Sequence, residues 1–377
     1  MREGWIEKCI DECTEIEFGT RVVQKRDGGN TYPVYGGGGE TFKMNTFNRE
    51  DCLIVSRFAM SKCCVRFVSG KFFLNDSGLS VKSGKGLEQC YLNHCLFYHN
   101  DEIYNLGKGA AQRNLDVKSF KKLIITIPPI STQLSIASEL DKIIEMISKY
   151  DEQLKELDKL SQSIFYEMFG DPVENEKGWE VKTLKSIAEK ITSGNNAKLE
   201  ADTYKTEGIP YFRCQNVWKN RIDYQDMVYI DEETNNKMKS SVLKHNDLLI
   251  TKIGRINTEN SSLGRVSIYT GEDNKANLSG NLCYIRLLDV VNPIFVLHIM
   301  VSNFFRDYIR RTTVGGTDKR ALNSPQIGRF PIILPPLSLQ QSFARKIEAI
   351  EAMKSKVKEA KKEAETLLAA RMQYWFE

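Results

Sequence analysis

Proline and glycine are absent between Ser131 and Phe169, and again from Leu337 to Glu377. Nothing in either stretch breaks a helix, so each is free to run as one. No apolar run reaches the length of a membrane span, and Met1-Arg2-Glu3-Gly4-Trp5 is not expected to act as a signal peptide. Nine cysteines make an odd number without a disulfide-scaffold spacing, so free thiols in a reducing, cytoplasmic setting are expected. Signs of chemistry are missing as well. There is no Ser/His/Asp ordering, no informative carboxylate pair and no G-x-G-x-x-G after a strand. Gly78 to Gly84-Lys85 has five intervening residues where a phosphate loop needs four. Both Pro-Pro pairs follow an aliphatic residue, Ile127 or Leu334, so neither is the Asp/Asn-Pro-Pro-aromatic element of amino-methyltransferases. No catalytic, cofactor-binding or metal-ligating residue is therefore assigned.

What is present is a helix written twice. Ile127-Pro128-Pro129-Ile130-Ser131 and Leu334-Pro335-Pro336-Leu337-Ser338 open two stretches 207 residues apart, and that offset holds from Gln133/Gln340 to Phe169/Phe376. In the first, Leu140, Ile143, Ile147, Tyr150, Leu154, Leu157, Ser161, Ile164 and Met168 alternate spacings of three and four, a coiled-coil seam. In the second, the seam is placed at Ile350, Met353, Val357, Ala360, Ala364, Leu367, Arg371 and Tyr374. Ile136, Ile144 and Phe165 lie off the seam and are expected to be exposed. Net charge is −4 on Pro128–Gly170 and +2 on Pro335–Glu377. A one-striped helix of this length needs a partner, so an intramolecular antiparallel pair is expected.

The modules before each helix are repeated too. Gly4-Trp5 and Gly178-Trp179 open them at an offset of 174, so the second module is the longer by about 33 residues. The fold class follows: α+β, two strand-rich globular domains separated by two long antiparallel coiled-coil helices, with a pseudo-twofold internal repeat. The expected domains are 1–130, a central helix 131–170, 171–336, and a C-terminal helix 337–377. Short strands are read at Tyr32–Tyr35, Cys52–Val55 and Cys64–Val68, with turns at Ser69-Gly70 and Ser83-Gly84. In the second module they are read at Ile209–Arg213, Asp247–Thr251, Gly264–Tyr269 and Asn281–Leu288. One helix is expected in each module, Tyr91–Leu106 and Pro293–Arg311. The Gly36–Gly39 run reads as a strand turn. Cys90, His94, Cys95 and His99 read as a helix core face, because the offset of 207 places Leu297, Val301, Ser302 and Arg306 at the matching sites.

Polar and basic residues gather in loops of both modules. They are Lys108, Gln112, Arg113 and Asn114 in the first, and Thr317, Lys319, Arg320 and Asn323 in the second. The second adds Arg213, Gln215, Asn216, Lys219 and Arg221, then Lys252, Arg255, Asn257 and Arg265. Arg, Asn and Gln are the side chains that pair bidentately with base edges, and Lys and Arg meet phosphates. The DNA-binding set chosen is Lys108, Gln112, Arg113, Arg213, Gln215, Asn216, Lys252, Arg255, Lys319 and Arg320.

On these features the chain resembles the specificity subunit of a type I DNA restriction–modification system. The likeness is carried by the two Gly-Trp openings, Tyr32-Pro33-Val34-Tyr35-Gly36-Gly37, Gly208-Ile209-Pro210-Tyr211-Phe212-Arg213 with Asn216, Asp247-Leu248-Leu249-Ile250, Gly315-Gly316-Thr317 and the two Pro-Pro-x-Ser-x-Gln helix starts. The resemblance implies two target recognition domains that read the halves of an asymmetric, bipartite double-stranded DNA site. It implies helices that act as ruler and dock two modification (methyltransferase) subunits, joined by restriction (motor/endonuclease) subunits. S-adenosylmethionine, ATP and Mg would then belong to those partners. Cys9-Ile10-Asp11-Glu12-Cys13 departs from the usual Leu/Ile pattern at that edge. The alternatives are a single-chain DNA methyltransferase or nuclease, a coiled-coil scaffold binding proteins, and a type II-like or silent variant of the same recognition subunit.

Overall fold

The computed structural model describes residues 2–109, 112–195, 204–258, 261–313 and 317–377. Two compact units form: Met1–Leu154 with Lys356–Glu377, and Lys155–Ser355. The long helices are Ile130–Phe169 and Leu337–Phe376, 40 residues each, and both contribute a segment to each unit.

In the first unit a six-stranded sheet runs in the order Thr14–Phe18, Gly78–Ser83, Arg49–Ser56, Val65–Leu74, Tyr32–Tyr35, Glu40–Met44. Only the Val65–Leu74/Tyr32–Tyr35 pairing is parallel. Ser69-Gly70 is not the expected turn. It lies inside Val65–Leu74, where register shifts between Glu50 and Cys52 and the Gly70 amide bonds the Asp51 carboxylate at 2.7 Å, a bulge that Gly70 permits at φ +74°. The head helix is two pieces, Gln89–Tyr98 and Asn100–Asn105. Its core joins Leu53, Val55, Leu79 and Val81 to Tyr91, Leu92 and Cys95, and then to Ile136, Leu140 and Phe376 of the long helices.

The second unit has a four-stranded sheet, Ala188–Ser193, Leu282–Leu287, Leu248–Thr251, Val266–Ile268, and a three-stranded one, Val228–Ile230, Ile209–Phe212, Asn277–Leu278. Its head helix is also divided, into Pro293–Met300 and Asn303–Thr312, because the Ser302 hydroxyl turns back to cap the Phe305 amide.

Both repeat offsets meet in one construction. Ile6–Cys9 pairs antiparallel with Ile124–Ile127, and Glu180–Thr183 with Pro331–Leu334, in matching register. Beside each clasp a fully buried glutamine ties the long helix to its head. Gln133 donates to Pro128 O (2.8 Å) and Gly86 O (3.0 Å), and accepts from Glu88 N (2.7 Å). Gln340 donates to Pro335 O (2.7 Å) and accepts from Asn292 N (2.9 Å). Glu88 and Asn292 are the residues that precede the two head helices. The head helices therefore match with Glu88 on Asn292, three residues off the expected alignment, and the counterpart of His94 is His298 rather than His94 facing Val301. His94 Nε2 lies 2.8 Å from Asp141, and His99 Nδ1 lies 2.8 Å from Glu102. Cys95 is buried in the core.

Within each unit the long-helix segments run antiparallel. Phe165 and Phe169 pack on Phe343 in the second unit, and Glu139 and Asp151 meet Arg371 and Lys361 in the first. The first seam is as spaced: Leu140 and Ile143 are buried, and Ile147, Tyr150, Leu154 and Leu157 are half-buried. In the second seam Ile350, Val357 and Ala364 are buried, but Met353, Leu367 and Tyr374 are exposed by 46%, 46% and 53%. Lys354, Leu368 and Trp375 occupy those turns instead. Of the residues expected off the seam, Ile144 is exposed. Ile136 and Phe165 are buried because the heads cover them.

Candidate nucleic-acid interface

The second unit carries a basic groove. Helix Asn303–Thr312 buries Phe305 and Ile309, which turns Arg306 and Arg310, one helical turn apart, to the other side. Opposite them stand Trp218 and Lys219, in a hairpin where Val217 pairs with Ile222, and the Gly264-Arg265 turn. Together they line a cleft of about 700 Å³. A second cleft of about 480 Å³ adjoins it through Thr258, Ser261 and Arg265 and reaches Arg255 and Lys319, opposite each other in a two-stranded pair.

The cations are held in place. Arg265 packs its guanidinium 3.8 Å from the Trp218 ring and donates to Ser261 O at 3.0 Å. Arg306 donates to Leu263 O (3.1 Å) and Thr258 O (3.4 Å). Burial and a neighbouring cation push both guanidinium groups below their ordinary pKa, Arg306 acting on Arg265 and Arg310 on Arg306. The acids on the rim are Asp307, 3.0 Å from Arg310, and Asp318, 4.0 Å from Arg255. Crowded cations of this kind favour an anionic ligand.

The first unit brings loop Arg57–Cys64 against hairpin Gly107–Lys108/Asn114–Leu115. Met60 N bonds Arg113 O (2.9 Å) and Leu115 N bonds Arg57 O (2.8 Å). Arg57 lies over Phe58 (4.4 Å), and Arg113 over Tyr104 (4.7 Å). Lys108 bonds Asp116 at 2.5 Å, which holds that carboxyl down to about 2. The glycine run makes the expected turn between Tyr32–Tyr35 and Glu40–Met44, with Gly39 at φ +114°. A Cβ at Gly37 would collide with the Phe58 carbonyl and one at Gly36 with the Asn75 amide, whereas Gly38 and Gly39 face open space.

The ten chosen residues fall into distinct places. Lys108 and Gln112 are exposed near the hairpin tip, with Arg113 half-buried behind them. Arg255 and Lys319 are exposed side by side, and Arg320 is half-buried, donating to Thr313 and Thr317 carbonyls at 2.6 Å. Lys252 is tied to Ser193 Oγ at 2.7 Å. Gln215 is exposed, while Arg213 donates to Asp226 O at 2.6 Å. Asn216 drops out: it is 1% exposed, accepting from Arg213 N and donating to Asp223 O, so it closes a loop. Gly315 and Gly316 lie outside the described residues. Trp218, Arg306 and Arg310, which the loop composition does not single out, line the same cleft as Lys219 and Arg265. The i,i+4 arginine pair was a readable signal once the helix phase was fixed by Phe305 and Ile309; the place of Trp218 was not.

A family model described as the type I restriction modification DNA specificity domain matches residues 2–159 and 176–366. The chain belongs to this family. The specificity subunit is 23% identical over 327 residues to the Type I restriction enzyme MjaVIII specificity subunit of Methanocaldococcus jannaschii, covering 80% of this chain and 75% of that one. It is 23% identical over 381 residues to a putative type I restriction enzyme specificity subunit of Haemophilus influenzae, covering 93% and 89%. Its fold is that of the type I restriction–modification S subunit from M. genitalium, with a TM-score of 0.62 at 16% identity, over 99% of this chain and 96% of that one. No helix among the described residues of the specificity subunit is long and apolar enough to cross a membrane.

Proposed function

We propose that each globular head of this specificity subunit, 1–130 and 171–336, reads one half of an asymmetric bipartite site in double-stranded DNA. The observation that carries this is the pair of adjoining clefts lined by Lys219, Arg255, Arg265, Arg306, Arg310 and Lys319, with Asp307 the one acid among their described lining residues. Arg306 and Arg310 would sit on phosphates. Arg255, Lys319 and Gln215, with Lys108 and Gln112 in the first head, are exposed and would face base edges, Lys108 exchanging its Asp116 contact for DNA. Methylation and cleavage would come from partners: two modification subunits and restriction subunits, which would bring S-adenosylmethionine, ATP and Mg. The modification subunits would dock on the long helices, where the duplication repeats exposed apolar residues: Met146 (36%) answers Met353 (46%), and Leu160 (45%) answers Leu367 (46%). The length of the helices would set the number of unread base pairs.

The test is to assemble the complex with Arg306→Ala/Arg310→Ala and, separately, Arg255→Ala, and to sequence the methylated sites. The double variant should bind all sites more weakly and lower the salt slope by about 2, while Arg255→Ala should relax one base of one half-site. Unchanged salt dependence in the double variant sinks the assignment.

A further inference from the structure

Two helices of equal length with a constant offset could pair like with like as easily as with each other, unless something forbids it. The ion pairs supply that something. In the first unit Arg371 Nη2 bonds Glu139 at 3.0 Å, where Trp375 Nε1 also donates (3.1 Å), and Lys361 lies 2.6 Å from Asp151. In the second unit Lys354, 7% exposed, lies 2.5 Å from Asp158 and 2.8 Å from Glu351. In each of these cross-helix pairs the acid is on the first long helix and the base on the second.

The duplication provides the control. At the sites of Lys354, Lys361 and Arg371 the first helix has Ile147, Leu154 and Ile164. At the sites of Asp158, Asp151 and Glu139 the second has Glu365, Lys358 and Lys346. A second helix laid antiparallel on a copy of itself in the same register would set Lys361 beside Lys358 and Arg371 beside Lys346. Across the pair only Lys354 would meet an acid; Lys361 would keep no more than Glu365 of its own helix, 3.6 Å away, and Arg371 would lose its carboxylate. A half-buried cation without an acid keeps its desolvation cost, and like charges add repulsion. We propose that the second long helix is built to accept the first long helix as its partner and to refuse another copy of itself, so that two subunits cannot associate through their second helices. Charge, rather than apolar fit, chooses the partner, as in coiled coils where flanking and buried polar residues set pairing.

The experiment uses the full chain with a protease site inserted in the exposed Val173–Glu176 turn, cleaved after folding, and two different tags on the C-terminal piece. At equilibrium in a mixture, one tag should capture the N-terminal piece and recover less than about a tenth as much of the other C-terminal piece. Lys354→Ile/Lys361→Leu/Arg371→Ile, which copies the first helix onto the second, should raise like-with-like capture at least about tenfold. Lys354→Arg/Lys361→Arg keeps the charge and should keep the exclusion even where the triple variant loses helicity. Equal capture of like pieces from the unmodified chain overturns the proposal, as does a triple variant of full helicity that gains no like-with-like capture.

Discussion

Gln133 and Gln340 show how one residue type secures a repeated joint. Each amide is fully buried and bonded at both ends, so alanine would strand a backbone amide and two carbonyls at Gln133, and a backbone amide and one carbonyl at Gln340. A buried group left unpaired costs about 1–3 kcal/mol. Gln133→Ala and Gln340→Ala should each lower unfolding stability by about 2–3 kcal/mol in urea titrations, whereas Gln341→Ala, one residue on and exposed, should change little. His298 makes a second prediction. It is stacked on Phe165 (5.2 Å) and against Phe343 (5.1 Å), and burial, helped by Lys354 and Lys219, lowers its pKa from 6.5 to about 4. A lowered histidine pKa means the unfolded chain takes the proton first. Its contribution is complete above pH 6.5 and is lost as pH falls, by about 2 kcal/mol at pH 5, levelling off below pH 4. Denaturant midpoints at pH 7.5 and pH 5 should diverge less in His298→Leu.

At the scale of elements, the second seam separates what a pattern can and cannot say. The apolar spacing chose Met353, Leu367 and Tyr374, yet the chain turns Lys354, Leu368 and Trp375 inward. Lys354 and Lys361 answer Ile147 and Leu154, so the duplication held the right phase while residue polarity argued for the wrong one. The lysines are tolerated because Asp158 and Asp151 stand opposite. Ile350→Ala should therefore cost about 2–4 kcal/mol, and Met353→Ala less than about 0.5 kcal/mol, by thermal or chemical unfolding. The divided head helices follow the same rule. Ser302 could be read as a cap, but only packing showed that the Arg306–Arg310 face turns away from Phe305 and Ile309.

For the whole molecule, the −4 and +2 of the two helices were legible as charge counts, and the three acid-to-base pairs show what they do. The longer second module has its extra segments around Cys214–Lys237, including the Trp218 hairpin that walls the basic groove. Binding strength should therefore be shared unequally: Lys219→Ala/Arg306→Ala should weaken DNA binding by the assembled complex more than Lys108→Ala/Gln112→Ala, in salt titrations of the same duplex. Inserting four residues at matching places in both long helices should change the number of unread base pairs between the methylated half-sites. An unchanged gap would remove the helices' role as ruler.

The sequence alone determined the duplication, the two 40-residue helices, their antiparallel charge match and the α+β heads, because each is written in spacing, in breakers and in repeat offsets that need no third dimension. Tertiary structure decided which cations share a groove, that Asn216 is a buried loop clip, and that Ile136 and Phe165 are covered. Those outcomes depend on what lies across the gap from a side chain. Contact between residues remote in sequence leaves no periodic trace in the chain.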